Sequence, residues 1–291
     1  METRCGNVVL LGEPNVGKSS IVNAVVGEAV SIVTDLAGTT RTQIRGVKTV
    51  GNAQIIFLDT PGMVGAKRNL LDKSLSKSIS GAVADADIIL YVLDATDIKA
   101  EHIQKIKNYS DQRKPLIVAV NKVDRVKMEN LYPKLADLNK LSFVEAIVPL
   151  SAKSMFNIDV LESELVKHLP HGEFQFETDD YTDQPMRAMA TEIIRGELVK
   201  RLHAELPHGI AVRIATWNEQ SRSLAIHAEI ICDKPSHKPI IIGKKGSVLK
   251  EVGIAARIAL EELTQKHVRL TTHVLVRESW REKKALVDEL V

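Results

Sequence analysis

The chain has 291 residues, of which 44% are apolar, 26% charged and only 4% aromatic. This is a globular mix with a mostly aliphatic core, long enough for two domains of about 100–200 residues each, and it argues against a disordered or fibrous protein. Lys and Arg number 39 against 37 Asp and Glu, so bulk charge announces no nucleic-acid partner, and two distant cysteines, Cys5 and Cys232, argue against a disulfide framework or a cysteine-based zinc site and suit a reducing compartment.

Apolar stretches such as residues 86–93 fall well short of the roughly 20 residues that a membrane-spanning helix needs. Val8-Val9-Leu10-Leu11 is too short for a signal peptide and reads instead as a buried strand over residues 7–11. It runs into Gly12-Glu13-Pro14-Asn15-Val16-Gly17-Lys18-Ser19, with Ser20 next, and then a helical pattern over residues 18–26. Two glycines let a backbone wrap a phosphate, successive N–H groups face it, and the start of the helix adds positive potential. In this spacing Lys18 reaches the β- and γ-phosphates and the Ser19 hydroxyl ligates Mg²⁺.

Residues 43–50 alternate and join residues 54–58 through Gly51-Asn52, a hairpin signal that adds one antiparallel strand. Asp59-Thr60-Pro61-Gly62 follows. A carboxylate there can hold Mg²⁺ through water, and the Gly62 N–H can face the γ-phosphate. Helical patterns over residues 70–83, 101–109, 129–138 and 158–168 alternate with strand patterns over 87–93, 116–120 and 145–150. The alternation predicts a doubly wound, mostly parallel sheet. Asn121-Lys122-Val123-Asp124 ends the strand at 116–120. The Asp124 carboxylate can accept from guanine's N1–H and amine, a donor pair that adenine lacks, so the expected nucleotide is GTP. Ser151-Ala152-Lys153 follows the next strand and is placed to close over the base. All these segments sit at carboxyl ends of strands, where open α/β sheets bind ligands.

Residues 169–186 carry Glu173, Glu177, Asp179, Asp180 and Asp183 with no Lys or Arg and read as an acidic, exposed linker between domains at 1–168 and 187–291. Beyond it the pattern becomes α+β: a helix over 189–206, strands around 210–214 and 224–230, a helix over 248–263 and a strand over 267–276. Residues 1–168 hold 21 basic and 19 acidic residues, and residues 184–291 hold 18 and 13. The excess gathers at Lys234, Lys238, Lys244, Lys245 and Lys250, a stretch with no acid. Gly243-Lys244-Lys245-Gly246 lies inside it, and a glycine-flanked lysine loop before a helix can approach a nucleic-acid backbone and neutralise phosphate. Ile241, Ile242 and Val252 are candidates for an apolar floor beside it, or for ordinary core.

The ordered nucleotide segments resemble those of GTPases, and more closely the Era-type branch of bacterial and organellar translation GTPases. Ala37-Gly38-Thr39-Thr40-Arg41 matches the first switch of that branch. The resemblance implies that Thr40, with Thr39 as the alternative, closes on Mg²⁺ when the γ-phosphate is present. Met63 stands where small signalling GTPases carry the water-positioning glutamine, a departure the branch shares and one that implies slow turnover. Asn at the position of Asn15 assists K⁺ binding in related proteins, which makes K⁺ stimulation an expectation here.

The region after 187 resembles a type II KH domain, the second unit of the family, through residues 241–253, Ala256-Arg257 and Ser279-Trp280-Arg281, with Glu192-Ile193-Ile194-Arg195 and Leu206-Pro207-His208 upstream. Lys245 replaces a glycine common in this family's loop. The resemblance implies an α/β doubly wound P-loop GTPase domain followed by an α+β KH domain. Its expected ligands are GTP or GDP, Mg²⁺ and the 3′ end of small-subunit rRNA in the 30S particle. RNA contacts are expected from Lys238, Ile242, Gly243, Lys244, Lys245, Gly246 and Lys250. The expected chain is a cytoplasmic monomer with a peripheral membrane association and an organellar source left open. A membrane-peripheral or regulatory switch binding protein or lipid is the alternative function.

Overall fold

A computed structural model describes residues 2–28, 30, 44–60, 70–183, 185–202 and 206–290. The chain divides into two compact units, the first made of most described residues up to Asp183 and the second centred on residues 185–290.

In the first unit β1 (Arg4–Leu11) leads to α1 (Lys18–Val26), β2 (Ile44–Val50) and β3 (Ala53–Asp59). Then follow α2 (Leu70–Asp85), β4 (Ile88–Asp94), α3 (Ala100–Lys107), β5 (Leu116–Asn121), α4 (Met128–Leu138), β6 (Ala146–Pro149) and α5 (Ile158–His168). The six strands stand in the order β2-β3-β1-β4-β5-β6. All neighbours are parallel except β2 and β3, which pair antiparallel across Gly51-Asn52 as the hairpin signal predicts.

The central strands are buried on both faces, so their residues divide by parity between two cores. Val8, Leu10, Ile55, Phe57, Leu90, Val92, Ile117 and Ala119 pack with Ile21, Val22 and Val25 of α1 and Leu161 and Leu165 of α5. Val9, Leu11, Ile56, Leu58, Ile89, Tyr91, Val118 and Val120 pack with Ala82 of α2, Ile106 of α3 and Leu131 and Leu138 of α4. This two-sided burial explains the continuous apolar runs in the sequence.

Residues 169–183 depart from the expected exposed linker. Their acids are exposed, but Phe174 and Phe176 pack on one core and Tyr181 on the other. The fully buried Gln54 pins the segment. Its Oε1 accepts from the Gln175 and Phe176 amides at 2.9 and 3.1 Å, and its Nε2 donates to the Phe176 carbonyl at 3.0 Å. The Val47 amide then donates to the Tyr181 carbonyl at 2.9 Å, and Thr182 bridges Gly46, so the strap covers the outer edge of β2. Between residues 172 and 176 partly buried Gly172, Phe174 and Phe176 alternate with exposed residues, a signal that the acidic composition hides.

The second unit runs α6 (Met186–Arg201), β7 (Ile210–Glu219), β8 (Ser223–Cys232), α7 (His237–Ile242), α8 (Ser247–Thr264), β9 (His267–Val276) and α9 (Lys284–Leu290). Its sheet has the order β7-β8-β9, with β7–β8 antiparallel and β8–β9 parallel. Ala190, Ile194 and Leu198 of α6 and Val252, Ala256 and Leu260 of α8 cover one face of it. The expected helix over 189–206 instead ends at Arg201, and Leu206–Gly209 forms a 3₁₀ turn. Leu202 is buried but extended (φ −102°, ψ 149°), so the apolar spacing continues past the true end of the helix.

Candidate functional site

β1, β3, β4 and β5 deliver their carboxyl ends to one edge of the sheet, with Leu10 in register with Asp59 and Asp94 with Asn121. Between β1 and α1 the loop turns through a left-handed Asn15 (φ 64°) and Gly17 (φ 96°). A Cβ on Gly17 would stand 2.2 Å from Asn121 Nδ2, so only glycine lets these two segments approach.

That approach is hydrogen-bonded. Asn121 Nδ2 donates to the Val16 carbonyl at 2.9 Å, and Asn121 Oδ1 accepts from the Lys122 and Ala152 amides at 2.8 and 3.1 Å. Lys122 Nζ donates to the Asn15 carbonyl at 2.5 Å. One asparagine and one lysine therefore tie the loop at 12–19, the segment at 121–124 and the segment at 151–153 together. The exposed carboxylate of Asp124 and the exposed ammonium of Lys153 stand at its rim, while Ser151 and Ala152 are buried. Val123 is also buried, in the core.

Lys18 is 7% exposed, and its Nζ donates to the Gly12 and Glu13 carbonyls at 3.1 and 3.0 Å. Burial pushes its ammonium down to about 8, against the upward pull of the Asp59 and Glu13 carboxylates. Ser19 Oγ donates to Asp59 Oδ2 at 2.7 Å, and Thr60 Oγ1 donates to the Leu10 carbonyl at 2.6 Å. Two hard oxygens meeting at a helix N-terminus, beside a buried lysine, form a donor set that suits Mg²⁺ and a phosphate chain.

The sequence reading placed Glu13 among the nucleotide contacts. Its carbonyl does line the loop, whereas its carboxylate pairs with Lys105 of α3. Pro14 and Ser20 occupy the loop and the first turn of α1. Thr40, with its neighbours 37–41, and Pro61, Gly62 and Met63 lie outside the described residues. Sequence reasoning missed Asp94 and Lys105. Asp94 had a usable signal: like Asp59 and Asn121, it is a polar residue that ends a buried strand.

In the second unit Gly243 (φ 77°, ψ 170°) stops α7, and Gly246 (φ 77°) caps the start of α8. A Cβ on Gly243 would lie 2.6 Å from Val248 Cγ2 and 2.7 Å from the Val248 nitrogen. Between the glycines, Lys244 and a left-handed Lys245 (φ 52°) are exposed. Lys238, Lys244, Lys245 and Lys250 have no carboxylate partner among the described residues; Lys244, Lys245 and Lys250 are exposed and Lys238 is half-buried. The apolar floor is revised. Ile241 and Val252 are fully buried core and Ile242 is half-buried, whereas Ile240 is 52% exposed.

Other residues behind the resemblance hold the unit together. Arg195 is buried against Glu192, with its Nη2 donating at 2.7 Å. Trp280 is fully buried, with Nε1 donating to the Gly209 carbonyl at 3.0 Å, and Arg281 Nε donates to Asp233 Oδ2 at 2.6 Å.

Comparison with known proteins matches a family to each of the two units. A family described as 50S ribosome-binding GTPase matches residues 7–122, and the KH domain family matches residues 205–281. GTPase Era of Pseudomonas putida strain KT2440 and GTPase Era of Pseudomonas entomophila strain L48 are each 36% identical over 289 residues, covering 99% of this chain and 96% of the relative. The chain belongs to the Era GTPase family. Among solved structures, Era in complex with MgGDPNP and nucleotides 1506–1542 of 16S ribosomal RNA superimposes with a TM-score of 0.94 at 38% identity, covering 99% of this chain and 98% of that one. A Tyr-to-Ala variant of Aquifex aeolicus Era bound to GDP and AlF₄⁻ gives 0.95, also at 38% identity, covering 99% of each chain. The expected architecture of a GTPase domain followed by a KH domain therefore holds over nearly the full Era length.

Proposed function

We propose that this chain binds GTP with Mg²⁺ and hydrolyses it slowly to GDP and phosphate. Its nucleotide state controls binding of the KH domain to the 3′ end of small-subunit rRNA during assembly of the 30S subunit. The observation that carries the reading is the junction at the sheet edge, where Asn121 and Lys122 bind the carbonyls of Val16 and Asn15 while Ser19 and Asp59 meet beside Lys18. The solved Era complexes contain MgGDPNP with a 16S rRNA segment, and GDP with AlF₄⁻.

In this reading the loop amides and Lys18 hold the phosphates, Ser19, Thr40 and Asp59 hold the metal, and Asp124 and Lys153 enclose the guanine. Bound Mg²⁺ neutralises charge on the β- and γ-phosphate oxygens. A water oxygen bonds to the γ-phosphorus as the bridging P–O bond breaks, and that electron pair leaves on GDP. Met63 cannot position this water, so rate acceleration falls to electrostatics. The roles proposed for Gly62, a backbone donor to the γ-phosphate, and for Asn15, help in holding K⁺, complete this reading. Equal GTPase rates in Na⁺ and K⁺ would overturn the role given to K⁺. The place of action is the cytoplasm; among the described residues no helix is long and apolar enough to cross a membrane.

The deciding experiment is binding to single-stranded RNA, using the wild type and a Lys244→Asp/Lys245→Asp chain. Loss of binding in the double variant is expected. Wild-type binding no tighter than that of the variant contradicts the KH reading, and tighter binding of ATP than GTP contradicts the role of Asp124.

A further inference from the structure

Asp94 ends β4 and has no role in the chemistry above. Its two oxygens are divided between two tasks. Oδ1 accepts from the Thr96 amide at 2.9 Å and from the Thr96 hydroxyl at 2.7 Å, which caps the 3₁₀ turn Ala95–Asp97. Oδ2 accepts from Lys122 Nζ at 2.6 Å, the same ammonium that donates to the Asn15 carbonyl.

The placement is set by the sheet. Asp94 and Asn121 are register partners across β4 and β5, so the carboxylate leaves its strand beside the segment that it holds. Lys122 itself is left-handed (φ 65°), which directs the chain out of β5. The two side chains are 18% and 21% exposed. Burial opposes the charge on Asp94, but the hydrogen bonds from Lys122 and Thr96 outweigh it and hold the carboxyl below its usual value.

A lysine ammonium on a flexible four-carbon stem has no preferred direction of its own. With the Asn15 carbonyl as its remaining acceptor, it would exchange that bond for water. A fixed carboxylate removes this freedom. Asn121 holds the neighbouring carbonyl of Val16 by geometry alone, so Lys122 is the tie that depends on a charged anchor.

We propose that Asp94 is a positioning residue for guanine-nucleotide retention: it fixes Lys122 on the Asn15 carbonyl and so holds the phosphate loop and the base-binding segment at one spacing. The assignment rests on the GTP reading above.

The test is the dissociation rate of a fluorescent GDP analogue from the full chain. Asp94→Asn keeps an oxygen to cap Thr96 but loses the charge that binds Lys122. It is expected to speed dissociation about tenfold, the scale of one charge-assisted hydrogen bond. Asp97→Asn, which breaks only the exposed pair between Asp97 and Lys99, serves as the control and is expected to change the rate less than about twofold. In a Lys122→Met background Asp94→Asn is expected to add nothing, a result that a purely structural role for Asp94 would not give. An unchanged rate in Asp94→Asn, or an equal acceleration in both backgrounds, would overturn the assignment while leaving the GTP reading intact. A wild-type chain that retains no GDP analogue would overturn both.

Discussion

Lys18 shows what a single buried charge does at this site. Burial lowers its folded pKa to about 8, below the unfolded lysine value of about 10.4. The folded, nucleotide-free chain therefore binds fewer protons than the unfolded chain between these values, and its stability from this group rises with pH. The cost of burying the ammonium is fully present below pH 8 and is relieved above it. The stability difference between wild type and Lys18→Met in urea titrations is expected to move in favour of wild type by on the order of 1 kcal/mol between pH 8 and 9.5. A difference that stays flat over this interval contradicts the buried, depressed lysine. Gly243 makes a second residue-scale case, because its positive φ and the nearby Val248 nitrogen leave no room for a Cβ. Gly243→Ala is expected to cost about 1–3 kcal/mol and to weaken RNA binding, as measured by denaturation and by titration with single-stranded RNA.

At the scale of elements, the strap over residues 169–183 carries the main lesson. Its pinning by Gln54 involves one fully buried amide side chain that satisfies three backbone groups of the strap. Gln54→Ala leaves three part-buried backbone groups without their hydrogen bonds, so a loss of about 1–3 kcal/mol is expected. Amide exchange at Gln175 and Phe176 should quicken with it, and unchanged exchange there would show that the strap is held elsewhere. Nothing in the sequence around Gln54 signals this task, because its partners lie more than 100 positions away. Local signals did better where the cause is local. The hairpin at Gly51-Asn52 and the ends of α1, between Gly17 and Gly27, follow from backbone freedom at those residues.

On the scale of the whole molecule, the near-neutral net charge hides an uneven surface. The acidic strap edges the first unit, while the lysines flanking Gly243-Lys244-Lys245-Gly246 form no ion pairs with carboxylates among the described residues. Four of these lysines, at 238, 244, 245 and 250, imply a salt dependence for RNA binding with a log–log slope of about −3. The Lys244→Asp/Lys245→Asp chain should lose at least about 1.4 from that slope. Equal slopes for the two chains would separate RNA binding from this loop.

The sequence by itself determined the nucleotide chemistry and the order of the elements, because phosphate loops, strand ends and glycine turns are written in contiguous residues. Gly12 to Ser19, Asp59 and Asn121 to Asp124 each carry their meaning within a few positions. Tertiary structure alone decided which side chains serve those segments. Asp94 reaches Lys122, Lys105 reaches Glu13, Gln54 reaches the strap, and Ile241 turns inward while Ile240 faces out. Sheet register and core packing bring these groups together across long sequence separations. Local patterns do not record such meetings, since any polar residue at a strand end looks alike until its neighbour in space is known.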